Sequence, residues 1–189
     1  MKKLILLLGI ITTLTVSCNS SEGKPSLNNI ESKSSNEPVI YTFKNLNFKL
    51  NSEYKLDPKN SNKDRVLYTD DGLNSFGIST LRLGKNQLDL DLSTLDNGQL
   101  LEYGKMITRE NAKDFPDIKF ISAKHAKIGN YNAIRIKQES RKVSGNNNII
   151  DITLYCLIAN PYYHSIRLGN KKGTSKSSET EIINTIKIK

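Results

Sequence analysis

Two thiols and two imidazoles are among the side chains of this sequence whose types could support nucleophilic, acid–base or metal chemistry. A nucleophilic cysteine requires a nearby base and partial exposure. Cys156, however, lies in the segment Ile149 to Ala159, whose even-numbered positions are all apolar. That alternation predicts a buried strand position, where a thiol behaves as a small hydrophobic group. We therefore expect Cys156 to be structural and not catalytic.

Neither histidine has the spacing of a metal site, such as HExxH, His-x-His or CxxC. His125 lies in the basic stretch Lys124 to Lys127, which predicts a solvated position. His164 shares strand parity with Ile166 and Leu168, which predicts a partly buried structural histidine. We predict no metal, no cofactor and no catalytic residue.

Three aspartates in the segment QLDLDLSTLDNG, Asp89, Asp91 and Asp96, superficially suggest a calcium loop. An EF-hand loop needs oxygen ligands at alternate positions, a central glycine and a closing glutamate. Leucines interleave with these aspartates, and no glutamate closes the loop at the required distance. We interpret the segment as the lead-in to a strand or helix.

The second cysteine, Cys18, follows a short apolar run. Met1-Lys2-Lys3 gives the chain a positive start, and Leu4 to Val16 carries no charge. As a helix, that run would cover roughly 20 Å at about 1.5 Å per residue, which is less than a hydrocarbon core of about 30 Å. A basic start, a short apolar region and a small residue at its exit are typical of a secretory signal.

The residues Leu14-Thr15-Val16-Ser17 before Cys18 resemble the lipobox of bacterial lipoproteins. The resemblance implies that the Cys18 thiol receives a diacylglyceryl group, that cleavage follows Ser17 and that the new amino end is acylated. Thr15 stands where leucine is usual in that family. Two or more acyl chains anchor a protein firmly, whereas one anchors it only marginally. We expect residues 1–17 to be a signal peptide and Cys18 to be the lipidation site.

The remainder divides into a polar tether and one domain. Asn19 to Glu37 is rich in serine and asparagine, and such a segment cannot bury enough apolar surface to offset the entropy of ordering it. We predict that residues 18–37 carry the lipid and form a flexible tether. Pro38 to Lys189 has the length of a single domain and shows no internal repeat.

The apolar pattern of this domain predicts antiparallel strands with two helices. Helical spacing of large apolar residues predicts a helix over roughly Asn97 to Asn111. Ser178-Glu179-Thr180-Glu181 has the spacing of a capping box and predicts the start of a final helix. Short loops joining strands favour antiparallel neighbours. The predicted strands are one or two within 41–50, then 65–69, 75–83, 118–127, 131–141, 149–159 and 162–168.

These elements define the predicted fold class as α+β: an antiparallel sheet of about six to seven strands, with a C-terminal four-stranded meander, flanked by helices. Their order resembles the Mog1/PsbP/DcrB-like fold. The matching segments are YTFKNLNFKL, GNYNAIRIKQE, LYCLIANPYYHSIRL and ETEIINTIKIK. Members of that fold include lipid-anchored envelope proteins, photosystem assembly subunits and a nuclear transport factor, so the fold does not fix a function. The resemblance implies no catalytic motif.

The domain is basic. The whole chain has a formal net charge of +9, and the four lysines and three glutamates that precede Pro38 account for +1 of it, which leaves +8. Such a charge favours anionic lipid, lipopolysaccharide, acidic glycans or nucleic acid. Lysine and asparagine are common throughout the chain, however, so a general composition bias is the simpler interpretation. We expect no nucleic-acid partner.

One sheet face is the best candidate for a binding site. In the strand 131–141 the odd positions point away from Ile134 and Ile136, which belong to the core. If residue 137 pairs with 155 and 141 with 151, one basic patch surrounds an aromatic ring. Its members are Arg135, Lys137, Tyr155 and Arg167. Two interpretations stay open: a site for an acidic ligand or partner, and a solvated or helix-covered face with a cation–π contact of about 0.5–1 kcal/mol.

The sequence favours a membrane-anchored, non-enzymatic cell-envelope lipoprotein whose domain binds a partner protein or assists assembly. One alternative is a binder of anionic polymer or lipid, such as lipopolysaccharide or an acidic glycan. The other alternative is a hydrolase. It would have no recognisable motif, since the sequence lacks GxSxG, P-loop and dinucleotide fingerprints. In the lipoproteins of enteric bacteria, which this signal resembles, aspartate after the lipidated cysteine retains the protein at the inner membrane. Asn19 follows Cys18 here, so the resemblance implies the outer membrane in a source with two membranes. In a source with one membrane, the cell membrane is expected.

Overall fold

The computed structural model describes residues 38–70, 74–88, 90–113, 115–141, 149–172 and 179–189. The predicted signal peptide, the lipidation site Cys18 and the tether lie outside these ranges. So do Asp89, residues 71–73 with most of the predicted Asp70-Asp71-Gly72 turn, residues 142–148 and Ser178.

Within the described ranges the chain forms ten β-strands and two α-helices. The strands are β1 Val39–Phe43, β2 Leu46–Leu50, β3 Lys55–Leu56, β4 Arg65–Thr69, β5 Ser75–Arg82, β6 Lys119–Ile128, β7 Tyr131–Ser140, β8 Ile150–Ala159, β9 Tyr162–Lys171 and β10 Lys187–Ile188. The helices are α1 Asn97–Asn111 and α2 Glu179–Thr185, and short 3₁₀ turns cover Lys85–Gln87 and Leu92–Thr94.

A seven-stranded antiparallel sheet forms the centre of the molecule. Its strand order is β3-β4-β5-β9-β8-β7-β6, and every neighbouring pair is antiparallel. Strands β6 to β9 are consecutive in both sequence and space, which is the predicted C-terminal meander. With α1 at its predicted bounds and a second helix at the carboxyl end, the fold class predicted from sequence is confirmed.

A separate small sheet, in the order β1-β2-β10, was not predicted. The predicted segment 41–50 forms most of β1 and all of β2, and the last strand pairs with β2 through Lys187↔Asn47 and Ile188↔Leu46. Strand β10 has two residues, too few for an alternation to be read, and its partner is far away in the sequence. Local sequence patterns therefore carry no signal for this sheet.

The central sheet is buried on both faces, which explains why nearly every residue of β8 is inaccessible. On the first face, Val66, Ile78 and Ile166 lie in register across β4, β5 and β9. The small sheet and α2 cover this face and form one hydrophobic core with it. Phe48 of β2 illustrates the contact, because its ring centroid lies 4.9 Å from that of Phe76.

On the second face, α1 packs against the meander. Leu100, Tyr103 and Ile107 of the helix share a second core with Ile134 and Ile136 of β7. We call the two faces of the central sheet the small-sheet face and the α1 face. The predicted core assignment of Ile134 and Ile136 is confirmed, since both are fully buried.

The predicted lead-in role of the aspartates is confirmed where the structure describes them. Asp96 caps α1: its carboxylate accepts a hydrogen bond from the Gln99 backbone N–H at 2.8 Å, and the Gln99 side chain accepts one from the Asp96 N–H at 2.9 Å. Asp91 caps the preceding 3₁₀ turn by accepting from the Ser93 N–H at 2.9 Å. Such caps satisfy backbone donors that a helix start leaves unpaired.

No helix in the described ranges is both long enough and apolar enough to cross a membrane.

Candidate binding site around Glu179

The carboxylate of Glu179, the first residue of α2, receives hydrogen bonds from side chains of two central strands. Arg135 donates from Nε to Oε1 at 2.6 Å and from Nη2 to Oε2 at 2.7 Å. The Tyr155 hydroxyl donates to Oε1 at 2.6 Å, and Thr153 Oγ1 lies 3.4 Å from Oε2. A planar guanidinium that binds both oxygens is the geometry by which arginine recognises carboxylates. We call these four residues the Glu179 cluster.

Strand register positions the cluster. Arg135 of β7 pairs directly with Tyr155 of β8, so both side chains project from the small-sheet face. Thr153 lies two residues before Tyr155 on that face and pairs with Lys137. Ile182 and Ile183 of α2 are buried in the core of this face, which places the start of the helix over the sheet.

The cluster is partly accessible, with side-chain exposures of 30% for Arg135 and 22% for Glu179. Burial alone would raise the pKa of the Glu179 carboxyl, but hydrogen bonds from Arg135 and Tyr155 outweigh it and hold the pKa below its ordinary value. The hydrogen bond to Glu179 raises the pKa of Arg135. Burial, followed by the hydrogen bond to Glu179, raises the pKa of the Tyr155 hydroxyl. At neutral pH the Glu179 carboxylate and the Arg135 guanidinium are therefore charged, and the Tyr155 hydroxyl is neutral.

Three of the four predicted site residues are brought together here. Arg135 and Tyr155 bind Glu179 directly, while Lys137 is exposed beside Thr153, and its charge also lowers the Glu179 pKa. The face is covered by the final helix, which is one of the two interpretations left open by the sequence.

Arg167 does not belong to the cluster, so its predicted place beside Tyr155 is wrong. The β8–β9 hairpin pairs Ala159 with Tyr162, which sets Tyr155 opposite Ile166 and Arg167 opposite Leu154. A one-residue change of register moves a side chain to the other face of a sheet. Arg167 accordingly lies on the α1 face, with its guanidinium carbon 4.7 Å from the centroid of the Phe115 ring.

The predicted β7–β8 register was also wrong, by two residues. Lys137 pairs with Thr153 and not with residue 155, and Asp151 pairs with Glu139 and not with Arg141. A two-residue slip keeps every side chain on its face, so alternation of apolar residues cannot detect it.

Sequence reasoning missed Glu179 and Thr153 as members of the cluster. Thr153 could have been found, because it shares strand parity with Tyr155. Glu179 was recognised only as part of a capping box, and nothing in a linear pattern says which sheet residue the start of a terminal helix will meet.

The predicted burial of Cys156 is confirmed, and His164 is fully buried where partial burial was predicted. Burial raises the pKa of the Cys156 thiol, which opposes formation of the reactive thiolate. His164 accepts or donates a 2.8 Å hydrogen bond between Nδ1 and Thr80 Oγ1, and burial lowers its pKa to about 4. His125 is exposed as predicted, and its Nε2 lies 2.9 Å from the Leu95 carbonyl oxygen.

Cys156 lies beside a buried pair of tyrosines on the α1 face. The hydroxyls of Tyr103 and Tyr163 are 2.7 Å apart, and both residues are almost completely buried. Burial, followed by their shared polar contacts with Cys156, raises the pKa of both hydroxyls well above the usual value. The pair therefore joins α1 to β9 in its neutral form.

Among the described residues, no three histidine, cysteine, aspartate or glutamate side chains are grouped so that they could hold a metal ion.

Comparison with known proteins finds no matching family model and no matching curated protein. Among solved structures, cyanobacterial PsbP (CyanoP) from Synechocystis sp. PCC 6803 is similar, with a TM-score of 0.56 and 11% identity over 92% of this chain and 99% of that chain. This similarity shows that the fold is PsbP-like, as the sequence resemblance implied. At so low an identity it shows the fold alone.

Two other solved structures are less similar to this chain. A protein from Bacteroides thetaiotaomicron VPI-5482 has a TM-score of 0.49 and 15% identity over 82% of this chain. Only 49% of that protein is covered, so this chain spans about half its length. LpqN, which is involved in cell envelope biogenesis of Mycobacterium tuberculosis, has a TM-score of 0.39 and 11% identity, with coverages of 78% of this chain and 79% of that one.

Proposed function

We propose that this protein is a lipid-anchored envelope lipoprotein whose PsbP-like domain is a non-enzymatic module that binds a protein partner. The observation that carries the proposal is the contrast between its buried and exposed polar groups. Cys156, the free thiol among the described residues, and His164, one of the two imidazoles, are both fully buried. Exposed polar groups such as Lys124, Lys127 and Lys137 are cations on the meander.

The buried groups support a structural role for the interior. A catalytic imidazole works best with a pKa near the operating pH, whereas burial lowers the pKa of His164 to about 4. A catalytic thiol needs a lowered pKa and access to substrate, whereas burial raises the pKa of Cys156. These directions are the opposite of what nucleophilic or acid–base catalysis at neutral pH requires.

The membrane anchor rests on the lipobox resemblance of residues 14–18. The decisive variant is Cys18→Ala, with Cys156→Ala as the matched control. We expect wild type and Cys156→Ala to enter the detergent phase of a Triton X-114 separation, and Cys18→Ala to remain in the aqueous phase or as uncleaved precursor. Mass spectrometry of the first peptide of the mature protein should show Cys18 with diacylglyceryl and acyl groups. An unmodified Cys18 would refute the anchor.

The predicted location follows from Asn19 and is tested separately. If the source has two membranes, density-gradient separation should place the protein with the outer membrane, and an Asn19→Asp variant should shift it toward the inner one. Recovery of wild type with the inner membrane would refute the outer-membrane assignment while leaving the anchor intact.

Enzymatic activity is the competing explanation. A broad hydrolase screen with the purified full chain should give no saturable turnover. Saturable turnover that stays with the protein through further purification would overturn the non-enzymatic proposal.

A further inference from the structure

Strand β6 is an edge of the central sheet. It pairs with β7 along Lys119 to Ile128, and no described strand pairs with its other side. Along such an edge, every second residue directs its N–H and C=O groups away from the sheet, which offers a template for another extended chain. The register shifts between Phe120 and Ser122, so the regular part of the edge runs from Ser122 to Ile128.

The edge is basic. Strand β6 contains three lysines and no acidic residue. Lys124 pairs directly with Arg135, and like charges in that position destabilise a sheet. Glu179 offsets the charge of Arg135, and Glu139 lies 2.8 Å from Lys172 Nζ, so both neighbouring carboxylates are already engaged with other cations. A ligand with negative charge would therefore supply the opposite charge for Lys124.

The lysines lie on both faces of the edge. Alternation along the strand directs Ser122 and Lys124 toward the small-sheet face, and His125 and Lys127 toward the α1 face. Lys124, His125 and Lys127 are exposed. Ile121, at the register shift, is 56% exposed and lies next to the regular edge. An extended segment along β6 would meet Lys124 on the small-sheet face, Lys127 on the α1 face and one apolar side chain near its end.

These observations favour one kind of occupant. A second copy of this chain would set lysines against lysines, which opposes edge-to-edge pairing. An anionic polymer or lipid would use the charges without the backbone groups. We propose that β6 binds an extended acidic segment of a protein partner by strand addition along Ser122 to Ile128. The proposal rests on the proposed partner-binding function and gives the chemistry of the partner.

In this arrangement the partner's backbone provides affinity through hydrogen bonds to β6, and acidic side chains on both faces of the added strand provide specificity through Lys124 and Lys127. The probe is a blocked seven-residue glutamate–valine peptide, Val-Glu-Glu-Val-Glu-Glu-Val, which places glutamates on both faces of a strand. It is titrated into the full chain in non-ionic detergent and followed by fluorescence anisotropy. Controls are the same peptide N-methylated at every residue, which removes its backbone donors, and the same peptide with lysine in place of each glutamate.

We expect the glutamate–valine peptide to bind saturably and to slow hydrogen exchange of the β6 amides that point away from β7. N-methylation and the Lys124→Glu/Lys127→Glu double variant should each weaken binding by about tenfold or more. The matched double variant Lys59→Glu/Lys63→Glu changes two exposed lysines between β3 and β4, and should stay within about twofold of wild type. Circular dichroism checks that both variants fold.

Several outcomes would overturn the inference. Equal binding of the N-methylated peptide would show that charge alone is recognised, and an unchanged affinity of the Lys124→Glu/Lys127→Glu variant would place the site elsewhere. Absence of binding, or protection in the free chain of the β6 amides that point away from β7, would show that the edge is not available. None of these results affects the anchor test at Cys18, so loss of the strand-addition site and loss of the envelope function are distinguishable.

Discussion

Arg135 and Glu179, 44 residues apart in the sequence, form a two-point ion pair between the middle of β7 and the first residue of α2. The same carboxylate also accepts a hydrogen bond from Tyr155 of the neighbouring strand. One side chain of the final helix is thereby fixed to two strands of the central sheet. The apolar contacts of α2 are not directional, whereas this ion pair fixes the Glu179 side chain over β7 and β8.

Glu179→Gln should lower the free energy of unfolding by about 1–2 kcal/mol, because it removes charge-assisted hydrogen bonds at a partly buried site. Urea denaturation at pH 7 measures the change. Glu102→Gln is the matched control, since Glu102 forms an exposed pair with Lys105 at 3.0 Å and should contribute less than about 0.5 kcal/mol. Equal effects of the two variants would mean that the Glu179 cluster adds no stability.

The same carboxylate predicts an acid dependence. Its pKa is lowered by folding, so its contribution is present above the ordinary value of 4.5 and is lost as the pH falls below it. Wild type and Glu179→Gln should therefore converge in stability below about pH 4.5. A stability difference that stays constant down to pH 3 would contradict an electrostatic origin.

His164 predicts a second acid dependence at higher pH. The unfolded chain binds a proton at its imidazole near the ordinary value of 6.5, whereas the folded protein does so only near 4. Stability should therefore fall as the pH decreases from 6.5 to 4, by up to about 3 kcal/mol from this group. Urea midpoints at several pH values should show a shallower slope for His164→Asn.

If His164→Asn keeps the wild-type slope across the same range, the buried imidazole does not cause the acid sensitivity.

Gly104 predicts a steric limit between α1 and β6. A Cβ added there would lie 2.5 Å from a Phe120 ring carbon and 2.9 Å from the Ala123 Cβ. Gly104→Ala should cost about 1–3 kcal/mol, although alanine normally stabilises a helix relative to glycine. Phe120→Leu in the same chain should recover part of the loss.

Gly84→Ala is the corresponding control. The nearest atom to a Cβ at that position is 3.6 Å away, an ordinary contact, so its stability should change by less than about 0.5 kcal/mol. A stabilising effect of Gly104→Ala would mean that the helix can move away from the sheet at no cost.

The buried tyrosine pair predicts non-additive mutations. Tyr103→Phe or Tyr163→Phe alone leaves the other hydroxyl without its 2.7 Å partner, and each should cost about 1–2 kcal/mol. The double phenylalanine variant should cost less than the sum, because it removes both polar groups. Exact additivity in thermal or urea unfolding would show that the two hydroxyls are not coupled.

Elements with a local signal could be predicted from the sequence. The apolar spacing between Asn97 and Asn111 predicted α1 at the bounds that the structure has. The unbroken apolar alternation around Cys156 predicted a buried thiol, and the short loops predicted the meander. In each case neighbouring residues alone decide the outcome, because helical and strand periodicity are properties of the local chain.

The pairing of residues across the sheet could not be predicted from the sequence and is known from the tertiary structure. Alternation cannot detect a two-residue slip, so the β7–β8 register was open, and one residue at the β8–β9 hairpin moved Arg167 to the opposite face. The β2–β10 pairing and the contact between Glu179 and Arg135 join segments far apart in the sequence. Such contacts depend on how whole elements pack, and packing is a property of the three-dimensional core that no local pattern contains.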